Sequence, residues 1–164
     1  MTSIFLYDIS LYHVPFVQKY AADKLIADTT SSIPHPYPEG AAKLFIQDAL
    51  RKQKTKENFV YAVYASAHFV GIISLFHCDW KKREAEIGYW IGVPFWGKGY
   101  ATEALSQLIM KAKGVGLKIL IGKCLVRNFA SRRVMEKNGF VCVKKSVGCG
   151  QHVHEKKWEF KYQF

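Results

Sequence analysis

Apolar positions along this chain fall into two periods, and the switches between them divide it into elements. Within Glu39–Lys54, residues Ala42, Phe45, Ile46, Ala49 and Leu50 recur at helical spacing on one face. Within Tyr100–Lys113, Ala101, Ala104, Leu105, Leu108 and Ala112 do the same. Leu11–Ala27 reads as another helix, and Phe129–Asn138 as a helix closed by Gly139. Strands are predicted at Ser3–Asp8, Phe59–Ala65, His68–His77, Ala85–Val93, Ile119–Val126, Phe140–Val147 and Val153–Tyr162. A tight turn near Ser66-Ala67 joins the second and third of these. Ile33-Pro34-His35-Pro36-Tyr37-Pro38-Glu39-Gly40 is a loop, because its prolines forbid a helix. The order βααβββαβαββ, with a hairpin in the middle, predicts a mixed sheet in one α+β domain over residues 1–164.

Composition narrows the class. The 164 residues are 49% hydrophobic and 23% charged, which is globular usage. No stretch approaches the ~20 apolar residues of a membrane span. The start lacks a basic and then apolar leader, so a cytoplasmic protein without membrane contact is expected. Cys78, Cys124, Cys142 and Cys149 form no C-x-x-C pair and read as free thiols, with Cys124 and Cys142 placed in the core. His152 and His154 alternate on a predicted strand, but no third ligand accompanies them, so no metal is expected.

Charge is uneven. Residues 1–97 carry 10 Lys/Arg and 9 Asp/Glu, whereas residues 98–164 carry 14 and 4. A positive field over the second half suits a polyanionic small ligand, a nucleic acid, or a merely solvated surface. No recognised nucleic-acid motif is present, and no such partner is expected. Trp80 and Lys81-Lys82-Arg83 read as a solvated basic hairpin tip.

Two segments carry chemistry. In Pro94-Phe95-Trp96-Gly97-Lys98-Gly99-Tyr100-Ala101-Thr102, a predicted strand ends, two glycines follow and a helix begins. Glycines let the backbone turn sharply toward a ligand, and a helix N-terminus adds unpaired N–H groups and a positive dipole end. Together these can cradle a phosphate. The third glycine of the dinucleotide fingerprint and the Lys-Ser/Thr of a P-loop are missing, so the same residues also describe an ordinary strand-to-helix turn. In Asn128-Phe129-Ala130-Ser131-Arg132-Arg133-Val134-Met135-Glu136-Lys137-Asn138-Gly139-Phe140, Asn128 is a good N-cap of an amphipathic helix.

These two segments, with Glu86-Ile87-Gly88-Tyr89-Trp90-Ile91-Gly92 before them, resemble the GNAT superfamily of N-acetyltransferases. The branch most similar is that of the ribosomal-protein N-terminal acetyltransferases. The resemblance is strong over residues 84–140. It implies a three-layer α/β/α fold whose mixed, mostly antiparallel sheet splays open between the strands at Ala85–Val93 and Ile119–Val126, with helices on both faces. It further implies acetyl-coenzyme A in that opening. The pantetheine would pair with backbone around Ile91 and Val93, and the pyrophosphate would rest on Gly97, Lys98, Gly99, Tyr100, Ala101 and Thr102. Asn128 would hold the pantetheine arm, and Arg132 or Arg133 the nucleotide end.

The reaction implied is direct attack of a primary amine, from a protein N-terminus or a small molecule, on the thioester. Glu86, ahead of Glu84 on the same strand face, is the candidate base, directly or through water. A backbone N–H near Ile91 or Val93 would hold the oxyanion. Many superfamily members place an acidic Tyr where Met135 stands, and a thioether cannot donate a proton. Ser131 or a water is then the candidate acid. The same departure keeps open a coenzyme A binder without catalysis, acting as a sensor or structural partner. Acceptor identity rests with residues 10–40, the hairpin at Trp80 and the last strands, with His35, Tyr37 and Trp80 as candidate border residues. Both monomer and homodimer are compatible with the sequence.

Overall fold

The computed structural model describes residues 2–148 and 150–164. Seven strands form one sheet in the order β1-β2-β3-β4-β5-β7-β6. They are β1 (Ile4–Asp8), β2 (Phe59–Ala65), β3 (His68–Asp79), β4 (Glu84–Ile91), β5 (Ile119–Leu125), β6 (Val141–Val147) and β7 (Lys156–Gln163). Every neighbouring pair is antiparallel except β4–β5. The helices are α1 (Val14–Ala21), α2 (Lys24–Thr29), α3 (Ala41–Lys54), α4 (Tyr100–Gly114) and α5 (Phe129–Lys137). None is long and apolar enough to cross a membrane.

Strand alternation assigns each face its own core. Ala85, Ile87 and Ile91 of β4 pack with Leu105 and Leu108 of α4 and Met135 of α5. On the other face, Trp90 packs with Val17 of α1, Ile26 of α2 and Ile46 of α3. The expected three layers are therefore present.

The helix expected at Leu11–Ala27 is broken into a 3-10 turn (Leu11–His13), α1 and α2. Pro15 is tolerated only in a first turn, which starts α1 at Val14. Asp23 then accepts the Leu25 amide at 2.9 Å and opens α2 as its N-cap. The strand expected at Ala85–Val93 stops at Ile91, and Val93–Phe95 form a 3-10 turn. The last strand begins at Lys156, so His152 lies in a 3-10 turn and His154 in the turn that follows. Cys142 is exposed because β6 is an edge strand with almost no cover, whereas Cys124 is buried as expected. Cys149 falls outside the described residues.

One close approach fixes α5 on the sheet. A Cβ at Gly122 would collide with Met135 Sδ, and Met135 is fully buried. Gly122→Ala should therefore overpack this contact and cost about 1–3 kcal/mol. The check is urea denaturation, with a lower midpoint and an unchanged m-value expected.

Candidate active site

β4 and β5 pair in parallel only from Glu84↔Ile119 to Ile87↔Gly122. Beyond that point β4 stays with β3 as far as Ile91, and β5 stays with β7 as far as Leu125. The two strands part into a wedge. The Gly92 amide donates to Val70 O at 2.8 Å. Backbone alternation then turns the amides of Tyr89 and Ile91 away from β3, toward the wedge, where β5 offers no ladder partner. The Ile91 carbonyl is taken at 2.6 Å by the indole N–H of Trp96. Its N–H remains available, an arrangement suited to a ligand that pairs like a strand.

The glycine segment stands at the mouth of this wedge. Gly97 and Gly99 have φ of 75° and 79°, in the left-handed region that only glycine enters freely. Open space surrounds both, so conformation rather than crowding requires them. Gly99 is the N-cap of α4 and its carbonyl accepts the Glu103 amide at 3.2 Å. The first-turn amides at Tyr100, Ala101 and Thr102 have no intrahelical acceptor. Glu103 would repel an anion there, but its Oε1 is turned to the Ile4 amide at 3.3 Å. Lys98 is exposed between the glycines. Pro94 lies in the first turn of the 3-10 segment, where its missing N–H costs nothing. Val93 belongs to that segment too, and its carbonyl accepts the Trp96 amide at 3.2 Å. It therefore offers no strand edge to a ligand, and Ile91 is left as the last edge residue.

The far wall comes from α5. Asn128 caps it, its Oδ1 accepting the Ser131 amide at 3.1 Å, so only the Asn128 NH2 group is left for a ligand. Tyr89, missed as a site residue in the sequence, reaches from β4 across the wedge. Its hydroxyl lies 2.8 Å from Ser131 Oγ and donates to Ser131 O at 3.1 Å. Burial pushes the Tyr89 phenol far above its ordinary range, with the Ser131 contact opposing, so it stays a neutral donor. Cys124 beside it is pushed up to about 11 by burial, against the pull of Arg132 and Ser131, and stays a thiol. Met135 faces the core beneath Gly122 rather than the wedge.

Arg132 is engaged elsewhere. It pairs with Glu136 at 2.8 Å and lies 5.8 Å from the centre of the Trp158 ring, on the β7 flank of α5. Asn138 ties the α4 flank to Thr102 O at 3.0 Å. Arg133 is exposed, without an ion pair among the described residues, and nearer that flank by helical position.

Glu86 lies at the root of the wedge on the opposite sheet face from Tyr89 and Ser131. Its Oε1 meets Lys123 Nζ at 2.9 Å and His77 Nδ1 at 3.5 Å. Neither partner is singled out by the sequence: Lys123 lies 37 residues along and comes beside Glu86 only because β5 pairs with β4, and His77, on the adjoining β3, sits where that ladder is irregular. Glu86 and Ser131 are thus not in contact but flank the opening.

A strap closes the side near the end of β5. Gln151 Nε2 reaches the carbonyls of Ala27 and Thr30 at 2.7 Å and Ile33 at 2.8 Å. Arg127 forms a forked pair with Glu155 at 2.7 and 3.1 Å and donates to Asp28 O at 2.7 Å. Residues 27–33 and the β6–β7 connection are therefore one wall. Tyr37 packs into the core against α1 and α3. Trp80 does not join them: it binds Lys56 O at 2.8 Å, at the far end of β4.

The family model of the acetyltransferase (GNAT) domain matches residues 4–141. The chain belongs to that family. Among curated relatives, this GNAT chain is similar to the ribosomal-protein-serine acetyltransferase of Escherichia coli K12, at 31% identity over 91 residues, covering 53% of this chain and 51% of that protein. It is also similar to the putative ribosomal N-acetyltransferase YdaF of Bacillus subtilis, at 43% identity over 72 residues, covering 43% and 39%. The aligned part thus spans about half the length of the first relative and less of the second. In fold, this GNAT domain matches the ribosomal L7/L12 α-N-protein acetyltransferase RimL in complex with coenzyme A, with a TM-score of 0.92. That match covers 100% of this chain and 96% of that one at 17% identity.

Gly99→Val puts a β-branched residue in a left-handed position that costs roughly 1–2 kcal/mol even for ordinary L-residues. It should also misdirect the first-turn amides. Calorimetric titration of coenzyme A below the thermal midpoint is expected to show at least a tenfold loss of affinity, with that midpoint lowered by several degrees.

Proposed function

We propose that this protein moves an acetyl group from acetyl-coenzyme A to a primary amine by direct attack. The observation that carries the reading is the early end of β4–β5 pairing at Ile87 and Gly122, with the glycine cradle at the mouth of the opening. The open glycines, the free first-turn amides and the free Ile91 edge suit this substrate. Gly97 to Thr102 hold its pyrophosphate, Ile91 its pantetheine, the Asn128 NH2 group its arm, and Arg133 rather than Arg132 its nucleotide end. The substrate supplies an activated acyl group, and the chain supplies placement and proton handling.

The two sheet faces divide the chemistry. The amine enters on the face of α1–α3, where Glu86 Oε2 is free of the contacts made by Oε1. An amine with pKa of ~8 to ~10 is mostly protonated at neutral pH, so Glu86 relays its proton, directly or through water. The Ile91 N–H faces the carbonyl oxygen as charge develops there. Sulfur departs on the face of α4 and α5, toward Ser131. A thiol with pKa ~8.5 is a far stronger acid than a serine hydroxyl. When its Oγ accepts the Tyr89 proton, Ser131 therefore keeps its own O–H for the departing sulfur and stabilises it by hydrogen bonding rather than by giving that proton up.

The acceptor is a protein N-terminus or a small amine. The strap from Gln151 and Arg127 to residues 27–33 forms one border of its entrance. A slim, extended amine passes such a border more readily than a side chain on a folded surface. The relatives named above, which are ribosomal-protein acetyltransferases by name, favour the N-terminus.

The first test is titration of acetyl-coenzyme A followed by a free-thiol release assay against amines and short peptides. Binding with release is expected. Binding without release across the whole panel would favour a silent binder, and no binding would end the reading. Glu86→Gln should lower kcat/KM by about 10²–10⁴-fold with coenzyme A affinity unchanged. Ser131→Ala removes one charge-assisted hydrogen bond and should lower kcat by about 10- to 100-fold. Equal losses in coenzyme A affinity would instead make either residue part of the binding surface.

A further inference from the structure

The pole opposite the glycine cradle carries features that acetyl transfer leaves unused. The end of α3, the β3–β4 turn and the α4–β5 connection converge there. Trp80 Nε1 donates to Lys56 O at 2.8 Å, and the amides of Lys118 and Ile119 donate to Arg83 O at 2.8 and 3.1 Å. These bonds frame a groove of 530 Å³ lined by Lys56, Phe59, Trp80 and Val115. Phe59 meets Trp80 edge-on, with ring centres 6.2 Å apart. Trp80 keeps 38% of its surface exposed at this rim.

Cations surround the groove. Lys54, Lys56, Lys81, Arg83, Lys113 and Lys118 are exposed and, among the described residues, in no ion pair. Three carboxylates stand nearby: Asp79, which pairs with Lys82 at 3.9 Å and accepts the amides of Lys81 and Lys82 at 3.0 Å, Glu57, which accepts the Thr55 hydroxyl, and Glu84 at the start of β4, so the cations outnumber them. Lys56 and Arg83 have φ of 58° and 53°. This left-handed backbone favours glycine. Two positions of this pole thus carry basic side chains where the backbone would favour glycine.

We propose that this pole docks single-stranded nucleic acid, with phosphates on the six cations and one base stacked on the open face of Trp80. Charge alone would suit any polyanion. A solvent-facing indole set in a groove among unpaired cations adds what a base needs and an acidic peptide does not. The site is separate from the cradle, since the eight residues of β4 span about 23 Å between them. It stands independently of the acetyl-transfer reading, because coenzyme A can be bound at the cradle throughout.

The test is fluorescence anisotropy of fluorescein-labelled U20 RNA and T20 DNA with the full chain in saturating coenzyme A. If all six cations meet phosphates, the log–log salt slope is about −4, or about 300-fold between 50 and 200 mM salt. Trp80→Ala should weaken binding by about tenfold or more, while Trp80→Phe retains most of it. Lys81→Glu with Lys113→Glu should abolish measurable binding at 150 mM salt. The charge-matched pair Lys144→Glu with Lys145→Glu, on β6, should leave it within twofold. Tighter RNA than DNA binding would name RNA as the ligand, and equal binding a general single-strand site. Equal loss in the two charge-reversal pairs, no effect of Trp80→Ala, or equal displacement by polyglutamate would overturn the proposal.

Discussion

The end of hydrogen bonding between β4 and β5 is the constraint on which the rest of the site depends. A parallel pair in the middle of a sheet normally continues, because each step satisfies two backbone groups. Here it stops at Ile87 and Gly122. Side chains hold the strands apart. Met135 presses on Gly122, where a Cβ would collide with it. Tyr89 spans the gap to Ser131 at 2.8 Å. Tyr89 is partly buried, and its hydroxyl finds its partner on α5 rather than on the next strand. The opening is thus built into the core, not left over from poor packing.

An opened ladder leaves backbone groups exposed, and the fold treats them unequally. The Ile91 carbonyl is closed off by the Trp96 indole at 2.6 Å, while its N–H faces the opening, where pairing with β5 has ended. That single bond also anchors the residue before Gly97 to the strand edge. The positions of the strand edge and the glycine turn are therefore coupled over only five residues. A ligand that needs both, an extended polar arm ending in phosphates, meets them at a fixed separation.

Much of this was legible in the chain. The helical stripes of α3 and α4 and the hairpin of β2 and β3 follow from apolar spacing. The sharp turn into α4 follows from two glycines ahead of a helix, and the family motifs carried over the expectation of a splayed sheet. Contacts distant in sequence were not legible. Lys123 reaches Glu86 only because the sheet sets β5 beside β4, and Tyr89 meets Ser131 only across the wedge. Arg132 and Arg133 looked equivalent, because a neighbour one residue along does not reveal that Trp158 draws one of them to the β7 flank. The 3-10 turn at Val93–Phe95 was hidden for a local reason. Val93 is apolar and extends the strand pattern, while Pro94 ends it.

Met135 shows why a motif position cannot be read as chemistry without its surroundings. From sequence, a methionine where relatives of the fold hold a tyrosine suggested a missing acid. In the structure that side chain faces down into the core and fills the space that Gly122 leaves. The hydroxyls at the wedge belong instead to Ser131, on the same helix four residues earlier, and to Tyr89 on the facing strand. A thiolate is a stable leaving group near neutral pH, so the demand on this wall is modest. Two neutral hydrogen-bonding hydroxyls meet it without an ionisable group. In the proposed reaction the stronger demand is to take a proton from the incoming amine, and we assign it to the other sheet face, where Glu86 stands with Lys123 and His77.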